Sequence, residues 1–94
     1  MTMMFITYSN AIDEEIVDLV KMYNKGYTKF RGVQGEGNGE PHLGTHVWPS
    51  VNNCMMVVME NKNVNKLLKD LHILENKFTG IGIKVFSTEA KQIY

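Results

Sequence analysis

Between Gly35 and Pro49 the chain reads GEGNGEPHLGTHVWP, a stretch that gathers four glycines, two histidines, two glutamates and the sole tryptophan. His42 and His46 flank Leu43, Gly44 and Thr45, with Glu36 and Glu40 upstream. Imidazole nitrogen combined with carboxylate oxygen is a donor set that suits zinc, copper or nickel. Pro41, Gly44 and Pro49 argue against a helix here, so the two imidazoles gain no shared helical face. Two histidines do not close a tetrahedral shell. A divalent metal ion at His42 and His46 requires Glu36, Glu40 or a residue of a neighbouring subunit, and without one the same side chains make ordinary loop hydrogen bonds. Trp48 has two uses open to it: a plug that folds the loop back onto the body or across a subunit boundary, or a stacking platform for a flat ligand ring or a partner side chain.

The same histidines and glutamates contain the elements of an acid–base pair, but nothing in the sequence fixes their geometry. There is no nucleophile elbow, no GxxxxGK[ST] phosphate loop and no Cys-x-x-Cys pair. Binding rather than catalysis is the expectation, with a small hydrolytic or isomerising enzyme the distant alternative. Ten basic residues balance ten acidic ones, which leaves no electrostatic footprint for nucleic acid or anionic lipid. No apolar run approaches the length of a membrane span, so membrane insertion is not expected. The amino-terminal MTMMFITYSN has no basic flank and no small-residue cleavage site. Cys54 is the single cysteine and lies beside an apolar run, which predicts a buried, inert thiol and a reducing cytoplasmic compartment.

The elements that must carry this loop follow from periodicity. Residues 1–94 are expected to form a single domain, close to the lower size at which a chain folds on its own core. Met3 to Tyr8 is apolar and β-branched, a predicted strand ended by Ser9 and Asn10. Asn10, with Asp13 three residues on, is placed to cap a helix. Its stripe is Ile12, Ile16, Leu19, Val20 and Tyr23, and it runs until Gly26. Tyr27 to Val33 predicts a second strand and Cys54 to Met59 a third. Asn61 or Asn63 is placed to cap a second amphipathic helix with Val64, Leu67, Leu68, Leu71 and Leu74 on one face. His72 flanks that stripe as a surface or interface residue. Ile81 to Phe86 predicts a fourth strand, its start bent by Gly80 and Gly82. Arg31, beside Gly32, reads either as an anion contact or as a solvated charge on an edge strand.

The order β-α-β-β-α-β is that of an α+β ferredoxin-like sandwich, a four-stranded antiparallel sheet with both helices on one face. Strands one and three are central in that arrangement, and they are the most apolar segments of this chain. Met55, Val57 and Met59 alternate with Met56 and Val58, so strand three is apolar on both faces while helices cover one. An uncovered apolar face predicts packing of sheets in a symmetric homo-oligomer.

These segments resemble a known family. The βαββαβ order, the passage TKFRGVQGEG at Thr28 to Gly37 and the turn TGIGIKVF at Thr79 to Phe86 look like the PII-like nitrogen regulatory proteins. The resemblance covers most of the chain, and the divalent-cation-tolerance (CutA) proteins share the same fold and assembly. It implies a homotrimer whose three inter-subunit clefts each hold a small anionic effector, such as an adenine nucleotide, and a loop that reports occupancy to a regulated partner protein. Carried over, Thr79, Gly80, Gly82 and Lys84 match the segment that wraps the phosphates. Glycines there admit main-chain N–H groups close to anionic oxygens, and the ammonium supplies charge. Gly35 and Gly37 match the base of the signalling loop. The Gly35 to Asn53 connection contains no tyrosine, so uridylylation of a loop tyrosine is not expected. The CutA alternative would use the His42 and His46 loop for metal, and a plain turn feeding a strand is the alternative for Gly80 and Gly82.

Overall fold

The computed structural model describes residues 1–33 and 52–94. In chain order these form β1 (Thr2–Ser9), a single 3-10 turn (Asn10–Ile12), α1 (Asp13–Tyr23), β2 (Thr28–Val33), β3 (Asn52–Met59), α2 (Asn61–Lys77) and β4 (Lys84–Glu89). The strands make one antiparallel sheet in the order β2-β3-β1-β4, so the two most apolar strands lie at its centre. This is the ferredoxin-like βαββαβ arrangement expected from the sequence.

Strand alternation sets which side chains meet the helices. Met4, Ile6 and Tyr8 of β1 and Met55, Val57 and Met59 of β3 are buried against Ile12, Ile16 and Val20 from the first helical segment and Leu67, Leu71 and Leu74 from the second. Val64 and Leu19 are partly buried at the margin, whereas Leu68 is turned outward.

The other sheet face carries Met3 and Phe5 of β1, Cys54, Met56 and Val58 of β3, Phe30 of β2 and Phe86 of β4, which stand opposite one another in register. No described element covers it. Phe30 and Phe86 are 47% and 66% exposed. The thiol of Cys54 therefore does not match its expectation: it is half-buried, because it shares the phase of Met56 and Val58 and so faces away from the helices.

Element boundaries differ from the sequence reading where side chains find tertiary partners. Ser9, not Asn10, caps the first helical segment, its Oγ accepting from the Ala11 amide at 3.2 Å. Asn10 enters the 3-10 turn and is engaged by Asn53. Neither Asn61 nor Asn63 caps α2: Asn61 Oδ1 accepts the Thr2 hydroxyl at 2.7 Å, and the Asn63 amide donates to the Tyr23 carbonyl at 3.3 Å. β4 begins at Lys84 rather than Ile81. Gly80 turns the chain at φ 80°, and the Ile83 amide is drawn to Glu75 Oε2 at 2.7 Å on α2 before the ladder starts. β3 opens two residues earlier than expected because Asn52 and Asn53 pair with Ser9 and Tyr8.

Leu67 is fully buried at the centre of α2 while Leu68 is 37% exposed. Urea unfolding should show Leu67→Ala destabilising by about 2–5 kcal/mol and Leu68→Ala by less than about 1 kcal/mol. Equal losses would mean that α2 presents a different face to the sheet.

Candidate functional site

One end of the sheet carries the turn before β4, the end of β2 and the start of β3. Register places Lys84 of β4, Thr7 of β1, Cys54 of β3 and Phe30 of β2 in one row across the uncovered face. Past that row β2 ends at Val33 and β3 begins at Asn52, while the turn Thr79 to Gly82 approaches the same end from α2. Thr79, Gly80, Gly82 and Lys84 are all exposed there. The Lys84 side chain stands on the uncovered face, since its neighbour Val85 packs against the core. Gly35 and Gly37 lie outside the described residues, as do Glu36, Glu40, His42, His46 and Trp48. Among the described residues no group of three or more His, Cys, Asp or Glu side chains is placed to hold a metal ion. His72 is exposed on α2 with Nε2 3.4 Å from the Asn76 amide nitrogen, and Arg31 is exposed on the edge strand β2.

In a single chain the two halves of this end are far apart. β2 and β4 are separated by β3 and β1, three strand spacings or about 14 Å. The glycine turn before β4 and the end of β2 at Val33 therefore occupy opposite edges of one sheet end.

Beneath that end lies a polar cluster. The Tyr8 hydroxyl donates to Asp13 Oδ1 at 2.7 Å, and Lys29 Nζ donates to Asp13 Oδ2 at 2.7 Å. Asn53, fully buried, donates from Nδ2 to Asp13 Oδ1 at 3.0 Å and to Asn10 Oδ1 at 3.1 Å. Its Oδ1 accepts the Gly32 amide at 3.3 Å. Gly32 adopts φ 65°, a left-handed conformation that a side chain disfavours, at the point where the β2–β3 register shifts between Phe30 and Val33. Asn53 thus ties the bulge, from which residues 34–51 depart, to the start of α1.

Electrostatics favour the Asp13 carboxylate and the protonated Tyr8 phenol. Burial alone would raise the Asp13 pKa, but the hydrogen bonds from Lys29, Tyr8 and Asn53 outweigh it and hold the carboxyl below its ordinary value. The Tyr8 phenol is pushed well above its ordinary range, first by burial and then by its bond to the Asp13 carboxylate. A second phenol, Tyr23, is raised by its hydrogen bond to Asp70, which links α1 to α2.

Reading the sequence for chemistry missed this cluster. A signal was present: Asn53 is in phase with Met55, Val57 and Met59, so alternation alone put a carboxamide on the helix-covered face, where it requires partners.

The folded-state pKa of Asp13 lies below its unfolded value, which is near 4. Its contribution to stability is fully present above about pH 4 and is lost as pH falls through the lower, folded value. Asp13→Asn should therefore flatten the acid limb of a stability–pH profile recorded by urea unfolding. An unchanged acid limb would show that the carboxylate is not held in this network.

Comparison with known proteins places the fold. No family model matches the chain, and no curated protein matches it in sequence. Solved structures do. CPII, a nitrogen regulatory PII-like protein from Thiomonas intermedia K12 bound to ADP, AMP and bicarbonate, superposes with a TM-score of 0.70 at 17% identity, over 99% of this chain and 94% of its own. A PII-like signalling protein from Thermus thermophilus superposes at 0.67 with 19% identity, over 93% of this chain and 83% of its own. A de novo designed protein, Foldit4, matches at 0.58 with 9% identity, over 96% of this chain and 98% of its own. The chain has the fold of the PII-like nitrogen regulatory proteins.

Proposed function

We propose that this chain is a divergent PII-like signalling protein that assembles as a homotrimer through its uncovered sheet face. Between its subunits it binds a small anionic effector, with an adenine nucleotide as the foremost candidate. The observation that supports this reading is the placement of β2 and β4 at opposite edges of one sheet. The Thr79, Gly80, Gly82 and Lys84 turn and the strand leading to Gly35 and Gly37 share an end but sit on opposite edges. One copy cannot close a small ligand between them. Apposed copies bring the β4 edge of one to the β2 edge of the next, and the bare face that would drive their union carries Met3, Phe5, Met56, Val58 and Phe86. Unbranched methionines suit such packing because they fill irregular gaps.

Within the cleft, exposed Gly80 and Gly82 leave the main chain accessible to anionic oxygens, and Lys84 supplies a compensating ammonium. The connection between β2 and β3 is the proposed reporter to a regulated partner protein. Support for the nucleotide comes from ADP and AMP bound to CPII, which shares this fold. The fold alone does not choose the ligand, as the designed neighbour illustrates.

Calorimetric titration with ATP, ADP and AMP should show at least one binding more tightly than about 1 mM, and Lys84→Ala should weaken that binding about tenfold. No heat from any of the three would remove the nucleotide reading. Light scattering should report a trimer that Phe86→Glu disperses, because a carboxylate at that position would be desolvated between sheets. A monomeric parent protein would remove the assembly.

A further inference from the structure

Among the described residues, a groove of about 360 Å³ runs between α1 and α2 on the outer side of the helix layer. It is lined by Leu19 and Met22 of α1 and Ile73 and Leu74 of α2, with Glu15, Asp18 and Asp70 carrying negative charge along it and Lys77 the one positive charge. Two of its apolar side chains are unusually bare for positions on helices whose other faces are buried: Met22 is 68% exposed and Ile73 52%. The Tyr23 hydroxyl bonds Asp70 and so bridges α1 and α2 beside the groove.

We propose that this groove is a docking site for a basic amphipathic segment of another protein, most simply a short helix. Its apolar ridge would lie on Leu19, Met22, Ile73 and Leu74, and its lysine or arginine side chains would meet Glu15, Asp18 and Asp70. The argument is one of complementarity. A chain of zero net charge concentrates three carboxylates around one apolar furrow, which selects a cationic occupant and repels nucleic acid and anionic membranes. From Glu15 to Met22 the furrow runs about 10 Å along α1, enough for about two turns of a bound helix. The mode is helix-in-groove recognition, in which apolar spacing gives affinity and flanking charge gives specificity. Met22 adds an adaptable thioether to the floor. The site is independent of the proposed nucleotide cleft, because it lies on the helix layer and the cleft lies on the sheet.

The methionines make the test direct. Met22 is in the groove, Met3 and Met56 are on the uncovered sheet face, and Met4, Met55 and Met59 are in the core. The full chain, labelled with 13C at methionine methyls, is titrated with a synthetic helical peptide of leucine and lysine in amphipathic register. A parallel titration uses the same pattern with glutamate for lysine. The expected result is a shift of the Met22 methyl with the lysine peptide only, weakened about tenfold by Asp18→Lys and reduced by added salt. Shifts at Met3 and Met56 in place of Met22, or equal response to both peptides, would overturn the proposal. So would a change in oligomeric state on Met22→Glu, which would assign the groove to a second copy of this chain. The Lys84→Ala variant should leave the Met22 response intact, which separates this site from the nucleotide reading.

Discussion

Two helices cover one face of a four-stranded sheet, and that arithmetic governs the rest of the molecule. The covered face holds Met4, Ile6, Tyr8, Met55, Val57 and Met59 at or near zero exposure, which is the core of the chain. The same strands present Met3, Phe5, Met56 and Val58 on the other side, in register with Phe30 and Phe86. Burying an aromatic or a methionine is worth about 1.5–3 kcal/mol. A face with several such side chains left in water forgoes a sum comparable to the whole stability of a small domain. That imbalance, not the identity of any loop residue, is the physical reason to expect a second copy of the sheet.

The second organising feature is polar and lies under the sheet end. Removing a partner from a buried carboxamide or carboxylate costs about 1–3 kcal/mol for each group left unsatisfied. Here Asn10, Asp13, Lys29, Tyr8 and Asn53 satisfy one another, and no buried side-chain nitrogen or oxygen among the described residues lacks a partner. The consequence is local rigidity at the Gly32 bulge. Asn53 holds the Gly32 amide while anchored to the start of α1, which fixes the end of β2.

Much of the architecture was legible in the sequence because it depends on period alone. The apolar spacing at Ile12, Ile16 and Val20 and at Leu67, Leu71 and Leu74 specified two one-sided helices, and the double-faced apolar run at Met55 to Met59 specified a central strand. Caps and strand ends were less legible, because they depend on partners remote in sequence: Asn61 answers Thr2, Asn63 answers Tyr23, and Ile83 answers Glu75. The glycine turn and Lys84 were visible as a motif, whereas the Asp13 cluster was hidden in three separate segments that pattern reading treats one at a time. Asn53 was the one residue whose phase announced it.

The chemistry available to an anion at the sheet end follows from what surrounds the turn. α2 delivers its carboxyl end there, so the helix dipole places partial negative charge beside Thr79 and Gly80. This is the reverse of the helix amino terminus that many phosphate sites exploit. Glu75 adds a carboxylate, although it is engaged with the Ile83 amide, and that bond also withdraws one main-chain donor from any ligand. An anion bound there as proposed would meet Lys84 at the head of β4 and main-chain donors upstream of Ile83. A cleft made only from this edge would be weakly cationic. The proposed effector would then need further donors from the facing edge of another copy, where Arg31 is exposed on β2. On that proposal, ligand binding and assembly would be two consequences of one shortage of positive charge at the glycine-bearing edge.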